Sequence, residues 1–236
     1  AALAFGLRLL KMKGTIFVPE NASLTKVEAI RRLGAEVRFH GIDGGMTEVY
    51  AREYAMDHGL IYISPYNDPQ IIGGQGTIAV ELSRQLKQID VVLVAVGGGG
   101  LISGIAGYLK SISDTVMVIG CQPENSPIMS ESVRAQQIVA RDSLPTLSDG
   151  TAGGIEPGAI TFPLCQRLVD EYILVSEEEI KDAMRLFMET HHMLIEGAAG
   201  VVIASFLKRR DLFQGKNVVL VICGANISLE TLKTIL

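Results

Sequence analysis

The chain has 236 residues, 48% of them hydrophobic and 20% charged, with a formal net charge of −5. That balance supplies a core for one large α/β domain or two small ones, and its scattered basic residues offer no phosphate-tracking surface, which argues against nucleic acid as a partner. Cys121, Cys165 and Cys223 lie far apart without CxxC spacing, so neither a disulfide framework nor a structural zinc site is expected, a reducing, cytoplasmic setting fits, and no apolar run approaches the ~20 residues of a membrane span.

The first part alternates helix and strand. Ala2 to Lys11 carries apolar residues at helical spacing and ends before Gly14. The chain opens inside this pattern with neither a methionine nor a signal-like segment, so it is expected to be a fragment. Thr15 to Val18 is a short apolar strand stopped by Pro19. Ser23 is placed to cap a helix from Leu24 to Leu33, with Gly34 as its stop. Glu36 to Phe39 alternates as a strand, Thr47 to His58 reads as a helix closed by Gly59, and Leu60 to Ile63 as another short strand. Ser64-Pro65-Tyr66-Asn67-Asp68-Pro69 is turn chemistry, and a domain boundary is placed there, giving residues 1–66 and 67–236.

Beyond it the alternation repeats with longer strands. A helix is expected from about Thr77 to Leu86, followed by Val91 to Val96, apolar on both faces as a central parallel strand must be. Gly97 to Gly100 lead into a helix over Leu101 to Lys110, and Val116 to Gly120 is the next strand. Glu124 to Gly158 reads as short helices and loop. Then come a helix (Phe162 to Val169), a strand (Tyr172 to Val175) and a helix (Glu177 to Met188). Glu177, Glu178 and Glu179 sit in that helix's first turn, and they and Asp170-Glu171 are expected to be solvated. A small-residue helix, Gly197 to Lys208, ends in the basic run Lys208-Arg209-Arg210, and Val218 to Ile222 is the last strand before Cys223-Gly224-Ala225-Asn226 and a short terminal helix. The order implies an α/β protein of open parallel sheets with right-handed crossovers.

In such sheets ligands sit beyond the carboxyl ends of the strands. Gly97, Gly98, Gly99 and Gly100 leave backbone N–H groups uncovered at a helix N-terminus, an anion site suited to phosphate. Close helix–strand packing is the competing reading, although four consecutive glycines cost much backbone entropy. A P-loop would need Gly-Lys-Ser/Thr where Gly100-Leu101-Ile102-Ser103 stands, and Gly104 comes one residue late for a Rossmann fingerprint. Cys223 at a strand end can meet a ligand edge-on or simply be buried. Glu196, ahead of Gly197-Ala198-Ala199-Gly200, can serve a ligand or cap its helix. Adjacent His191 and His192 cannot share one helix face, which disfavours a metal pair.

Together the tetraglycine loop, Gly74-Gln75-Gly76-Thr77 opening a helix, Glu196-Gly197-Ala198-Ala199-Gly200 and Cys223-Gly224-Ala225-Asn226 resemble the fold-type II enzymes that use pyridoxal 5′-phosphate (PLP), with their tryptophan synthase β-like architecture. The serine/threonine dehydratase and serine racemase branch is the nearest, and Pro19-Glu20-Asn21-Ala22-Ser23, Lys26 and Arg31 to Val37 are similar to it as well. The resemblance covers essentially the whole chain. It implies that Gly97 to Gly100, with Leu101, hold the PLP phosphate, that Cys223 faces the pyridine nitrogen as a neutral partner suited to β-elimination, and that Glu196 and Asn226 lie near the ring. It further implies that residues 1–66 are most of a small mobile domain and 67–236 most of the large cofactor-binding one. The Schiff-base lysine and the substrate-carboxylate loop would lie upstream of Ala1, and no lysine present matches their motif. The acidic cation ligands of the racemases fall at Gln122 and Ile128, so no metal site is expected. The implied activity is that of an ammonia-lyase acting on the small amino acids L-threonine or L-serine, in a homodimer or homotetramer. A racemase, a non-catalytic protein that keeps the fold, and a nucleotide binder using the same loop are the alternatives.

Overall fold

The computed structural model describes residues 1–42 and 44–236, which divide into two compact units, Ala1–Ile63 and Ser64–Leu236. The first unit contains α1 (Ala2–Leu9), β1 (Thr15–Val18), α2 (Leu24–Arg32), β2 (Glu36–Phe39) and α3 (Gly44–Asp57). Strands β1 and β2 pair in parallel, Thr15 opposite Glu36. Phe17 of β1 packs edge-on to Tyr50 and against Tyr54, which fixes α3 over this small sheet. Ser23 occupies the N-cap of α2, but its side chain makes no capping bond. The expected strand Leu60 to Ile63 does not form. Its run is apolar, yet Ile61 is 90% exposed, and a strand exists only where a neighbour completes its ladder.

The second unit holds α4 (Pro69–Gln85), β3 (Val91–Ala95), α5 (Gly100–Ile112), β4 (Met117–Pro123), α6 (Ile128–Ala135), α7 (Thr161–Leu168), β5 (Glu171–Val175), α8 (Glu177–His191), α9 (Gly197–Lys208), β6 (Val218–Leu220) and α10 (Leu229–Ile235). Its four strands are parallel in the order β5-β4-β3-β6. Side chains of β3 alternate between two cores. Val91, Leu93 and Ala95 pack with α8 and α9, whereas Val92, Val94 and Val96 pack with α4, α5 and α7. Each fully buried Val or Leu contributes about 1.5–3 kcal/mol, which anchors β3 on both faces.

Helix α4 starts eight residues earlier than its composition suggests, so Gly74 to Thr77 lie inside it rather than opening it. Asp68 and Pro69 set the start: Asp68 Oδ1 accepts from Gln70 N (2.7 Å) and Ile71 N (3.0 Å), and Pro69 occupies the first turn. Of the glycines inside the helix, Gly76 is required by its neighbour, whereas Gly73 and Gly74 face open space. A Cβ on Gly104 of α5 would fall 2.2 Å from Ile72 O, and one on Gly76 would fall 2.9 Å from Gly104 O. Asp68→Ala removes both capping bonds and is expected to cost about 1 kcal/mol, read as a lowered urea midpoint with unchanged m-value.

Of the acidic residues expected to be solvated, Glu178 is exposed, whereas four others have partners. Asp170 Oδ2 accepts from Val118 N (2.7 Å) and pairs with Lys110 (2.8 Å), and Glu171 pairs with Arg209 (2.9 Å). Glu177 Oε2 accepts from Leu147 N (2.7 Å), and Glu179 closes a capping box with Ser176 while binding Lys208 (2.9 Å). Lys208 and Arg209 thus tie the end of α9 to its neighbours.

Candidate functional site

From β3 the chain moves through β4 to β5 on one side, and β6 returns to the other side of β3. Strand order therefore reverses between β3 and β6, and a crevice is expected there beyond their carboxyl ends. The loops after these two strands are Gly97 to Gly100 and Cys223 to Asn226, so the fold brings the two singled-out motifs to one edge.

The glycine loop passes directly from β3 into α5. Gly99 is the N-cap of α5 with φ +86°, a conformation L side chains rarely adopt, and no side chain caps this helix among the described residues. The first turn of a helix leaves its amides without intrahelical partners, and here the first backbone bond runs from Ser103 N to Gly99 O (3.0 Å). Gly100 and Leu101 begin the helix, and Leu101 is half-buried against the core. Close packing also shapes the loop. A Cβ on Gly97 would meet the Thr151 backbone at 3.0 Å, one on Gly98 the Tyr66 ring at 2.5 Å, and one on Gly100 Tyr66 Cβ at 2.9 Å. Amides without intrahelical partners and close approach therefore both call for glycine.

Glu196 is the N-cap of α9, yet its side chain does not cap the helix. Its carboxylate turns to the second loop. Oε2 accepts from Asn226 N (2.9 Å), the Glu196 amide donates to Gly224 O (3.0 Å), and a Cβ on Gly224 would overlap the carboxylate at 2.3 Å. Cys223 follows β6 and is half-buried at the junction of the two cores. Burial, reinforced by the Glu196 charge, pushes its thiol up to about 11, so it stays protonated at neutral pH. Asn226 is exposed and contributes its backbone amide to Glu196.

A long segment, residues 136–160, runs beside this edge without regular structure. Asn125 Nδ2 donates to Pro145 O (2.6 Å) and Leu144 N donates to Asn125 O (2.9 Å), which tie it down at one end. At the other end Glu156 N donates to Tyr66 Oη (2.8 Å), and Ile160 N donates to Asn67 Oδ1 (2.9 Å). Between them Thr151 lies against Gly97 and Gly150 lies near Glu196. The sequence implies short helices and loop over Glu124 to Gly158, and the turn formers Ser148, Asp149 and Gly150 are the signal in it that bears on the site.

The remaining candidates lie elsewhere. His192 is the left-handed C-cap of α8 (φ 55°), and the His191 ring stacks on Phe187 at 4.5 Å, so both finish a helix. Gln122 is buried and bound to backbone: Nε2 donates to Val96 O (3.0 Å) and Ser126 O (3.4 Å), and Oε1 accepts from Ser130 N (2.8 Å). Ile128 is a buried apolar residue of α6. Glu124 pairs with Lys208 at 3.6 Å.

A family model described as pyridoxal-phosphate dependent enzyme matches residues 1–224. The chain is 39% identical over 236 residues to the L-threonine ammonia-lyase of Thermotoga maritima, covering 99% of this chain and 58% of that protein. It is 37% identical over 230 residues to the catabolic L-threonine dehydratase of Staphylococcus aureus, covering 96% of this chain and 66% of that protein. It thus spans less than two thirds of either relative's length. Among solved structures, maize serine racemase matches with a TM-score of 0.89 at 28% identity, over 99% of this chain and 72% of that one. No described helix is long and apolar enough to cross a membrane.

Proposed function

The chain belongs to the family of pyridoxal-phosphate dependent enzymes, and from that premise we propose that it acts as an ammonia-lyase, converting L-threonine or L-serine to a 2-oxo acid and ammonia. The observation that carries this reading is the meeting, at one reversal of strand order, of an uncapped glycine-rich helix start and a protonated thiol. Both fit the cofactor. The amides of Gly97 to Gly100, with the α5 dipole and Leu101, suit a phosphate dianion. The Cys223 S–H suits a ring nitrogen that carries no proton, because a neutral donor brings no charge to it. When bound, PLP supplies an electron-withdrawing ring that weakens the bonds at an amino acid's α-carbon.

The chain's own residues do the holding. Glu196 fixes the Cys223–Asn226 loop through the Asn226 amide and the Gly224 carbonyl, which sets where the thiol points. Thr151 and Tyr66 close in Gly97, Gly98 and Gly100, so the loop offers its amides from a fixed frame. The same reading makes residues 1–66 most of a small mobile domain and 67–236 most of the large cofactor-binding domain, in a cytoplasmic homo-oligomer that acts on small amino acids.

The test uses the protein as its gene encodes it, supplied with PLP and L-threonine. Formation of 2-oxobutanoate is the expected result. The likeness to a serine racemase favours one second reading: if PLP binds, neither threonine nor serine yields an oxo acid, and chiral chromatography finds D-serine from L-serine, racemisation replaces elimination. Absence of both products overturns the proposal.

A further inference from the structure

Directly behind Gly99 lies a buried polar group that the site as described does not use. A Cβ at Gly99 would meet Cys165 Sγ at 2.9 Å, Met129 Cε at 2.9 Å and Thr161 Cβ at 3.2 Å. Thr161 and Cys165 are one turn apart on α7, and both are fully buried. Ser103 of α5, also buried, sits 3.7 Å from the Cys165 thiol, and the Tyr172 hydroxyl of β5 neighbours that thiol as well. Two of these hydroxyls, Thr161 Oγ1 and Tyr172 Oη, are buried with no hydrogen-bond partner among the described residues.

A buried hydroxyl without a partner costs about 1–3 kcal/mol, and an apolar side chain of the same shape would avoid that cost. Such groups in a well-packed core call for an explanation in function rather than stability. Here Thr161 lies beside the one loop residue in a left-handed conformation, the residue that decides where the α5 amides point. Thr161 also opens α7, and its Cβ would lie 3.2 Å from a Cβ on Gly99, which sets its side chain beside the loop.

We propose that Thr161 and Cys165, backed by Ser103 and Tyr172, are positioning residues of the anion-binding loop: their contact holds Gly99 in its left-handed turn, and the Thr161 hydroxyl is a donor held in reserve for the loop when its amides turn to a phosphate. The inference rests on the reading of Gly97 to Gly100 as the phosphate site. It names no new ligand; it assigns to α7 the control of how strongly the phosphate is held.

The test compares two ligands by calorimetry, 4′-deoxypyridoxine 5′-phosphate and 4′-deoxypyridoxine, which differ only in the phosphate and cannot react covalently. Wild type is expected to prefer the phosphate ester. Thr161→Val keeps the shape and removes the hydroxyl. It is expected to weaken the ester about tenfold, roughly the worth of one hydrogen bond, while leaving the alcohol unchanged. Thr161→Ser, which keeps the hydroxyl, is expected to stay close to wild type. Cys165→Val adds a branch towards Gly99 and is expected to lower ester affinity in the same way. Should Thr161→Val or Cys165→Val fail to fold, Thr161→Ser and Cys165→Ser remain, and both should retain the ester preference. A wild type with no preference for the ester overturns the phosphate site itself. A wild type with that preference, alongside valine variants that equal it or lose both ligands alike, overturns only the positioning role.

Discussion

Alanine at Gly197 is expected to destabilise the protein by about 3 kcal/mol or more and to weaken ligand binding at the glycine loop, the largest effect of any single methyl group considered. A Cβ there would lie 1.9 Å from Leu147 O, 2.2 Å from Leu147 C and 2.7 Å from Ser148 N. These are backbone atoms, so no rotamer relieves the overlap, and either α9 or segment 136–160 has to retreat. The segment is anchored by the bond from Leu147 N to Glu177, and α9 is packed against β3 and β4. Whichever moves, Glu196 moves with it and its bond to the Asn226 amide is strained. Urea unfolding reads the first effect and calorimetry with 4′-deoxypyridoxine 5′-phosphate the second. Gly107→Ala is the control: it lies on the exposed face of α5 with nothing within 4 Å of its Cβ, and it is expected to stabilise by up to about 1 kcal/mol. Equal stability of the Gly197 and Gly107 variants would refute the packing argument.

Stability is expected to fall steeply above pH 9. Burial pushes the Cys121 thiol up to about 12 and the Cys165 thiol up to about 11, from an ordinary value near 9. Above that ordinary value an unfolded chain releases both protons while the folded one keeps them. The folded state is therefore favoured in full below about pH 9 and loses ground as pH rises towards 11. Each such group contributes about 1.4 kcal/mol per pH unit, and with Cys223, likewise raised to about 11, three thiols give about 4. Over the two units to pH 11 the loss approaches the whole stability of a typical domain. The Tyr172 hydroxyl, also raised chiefly by burial, acts in the same direction. Urea midpoints from about pH 8 to about pH 11 measure the slope. Cys121→Ala should cut it by about a third, whatever the substitution does to stability at neutral pH. A slope that the substitution leaves unchanged would sink the assignment.

Much of the sheet was legible because its signals are local. Val91 to Val96 are apolar on both faces, and only a central strand between two helical layers needs that. The acidic first turn Glu177 to Glu179 marked a helix start, which the structure closes with a capping box between Ser176 and Glu179. The errors came where a neighbour decides. Gly74 to Thr77 read as the opening of a helix but lie inside α4, where α5 comes too close at Gly76 for anything larger. Leu60 to Ile63 looked like a strand and found no ladder. In the site, the glycine loop and Cys223 announced themselves by composition. Glu196 was seen, but its partner was not, since a local reading offers only its own helix. Thr151, Thr161 and Cys165 carry no mark in the sequence, because the fold alone brings them against Gly97 and Gly99.

The position of β6 has a consequence for how the molecule is made. This strand closes one side of the candidate site, and its pairing with β3 is opened by the contact of Asn217 with Asp90, 127 residues apart. Contacts of such separation form late, since a long loop must close before they reward it. During synthesis, β3, α5 and β4 emerge and collapse well before β6 exists. The glycine loop is then in place while the loop that carries Cys223 is still unmade. Ligand affinity should therefore rise last in refolding, after the helical signal has recovered, and a nascent chain stalled before Val218 should be compact yet blind to its cofactor.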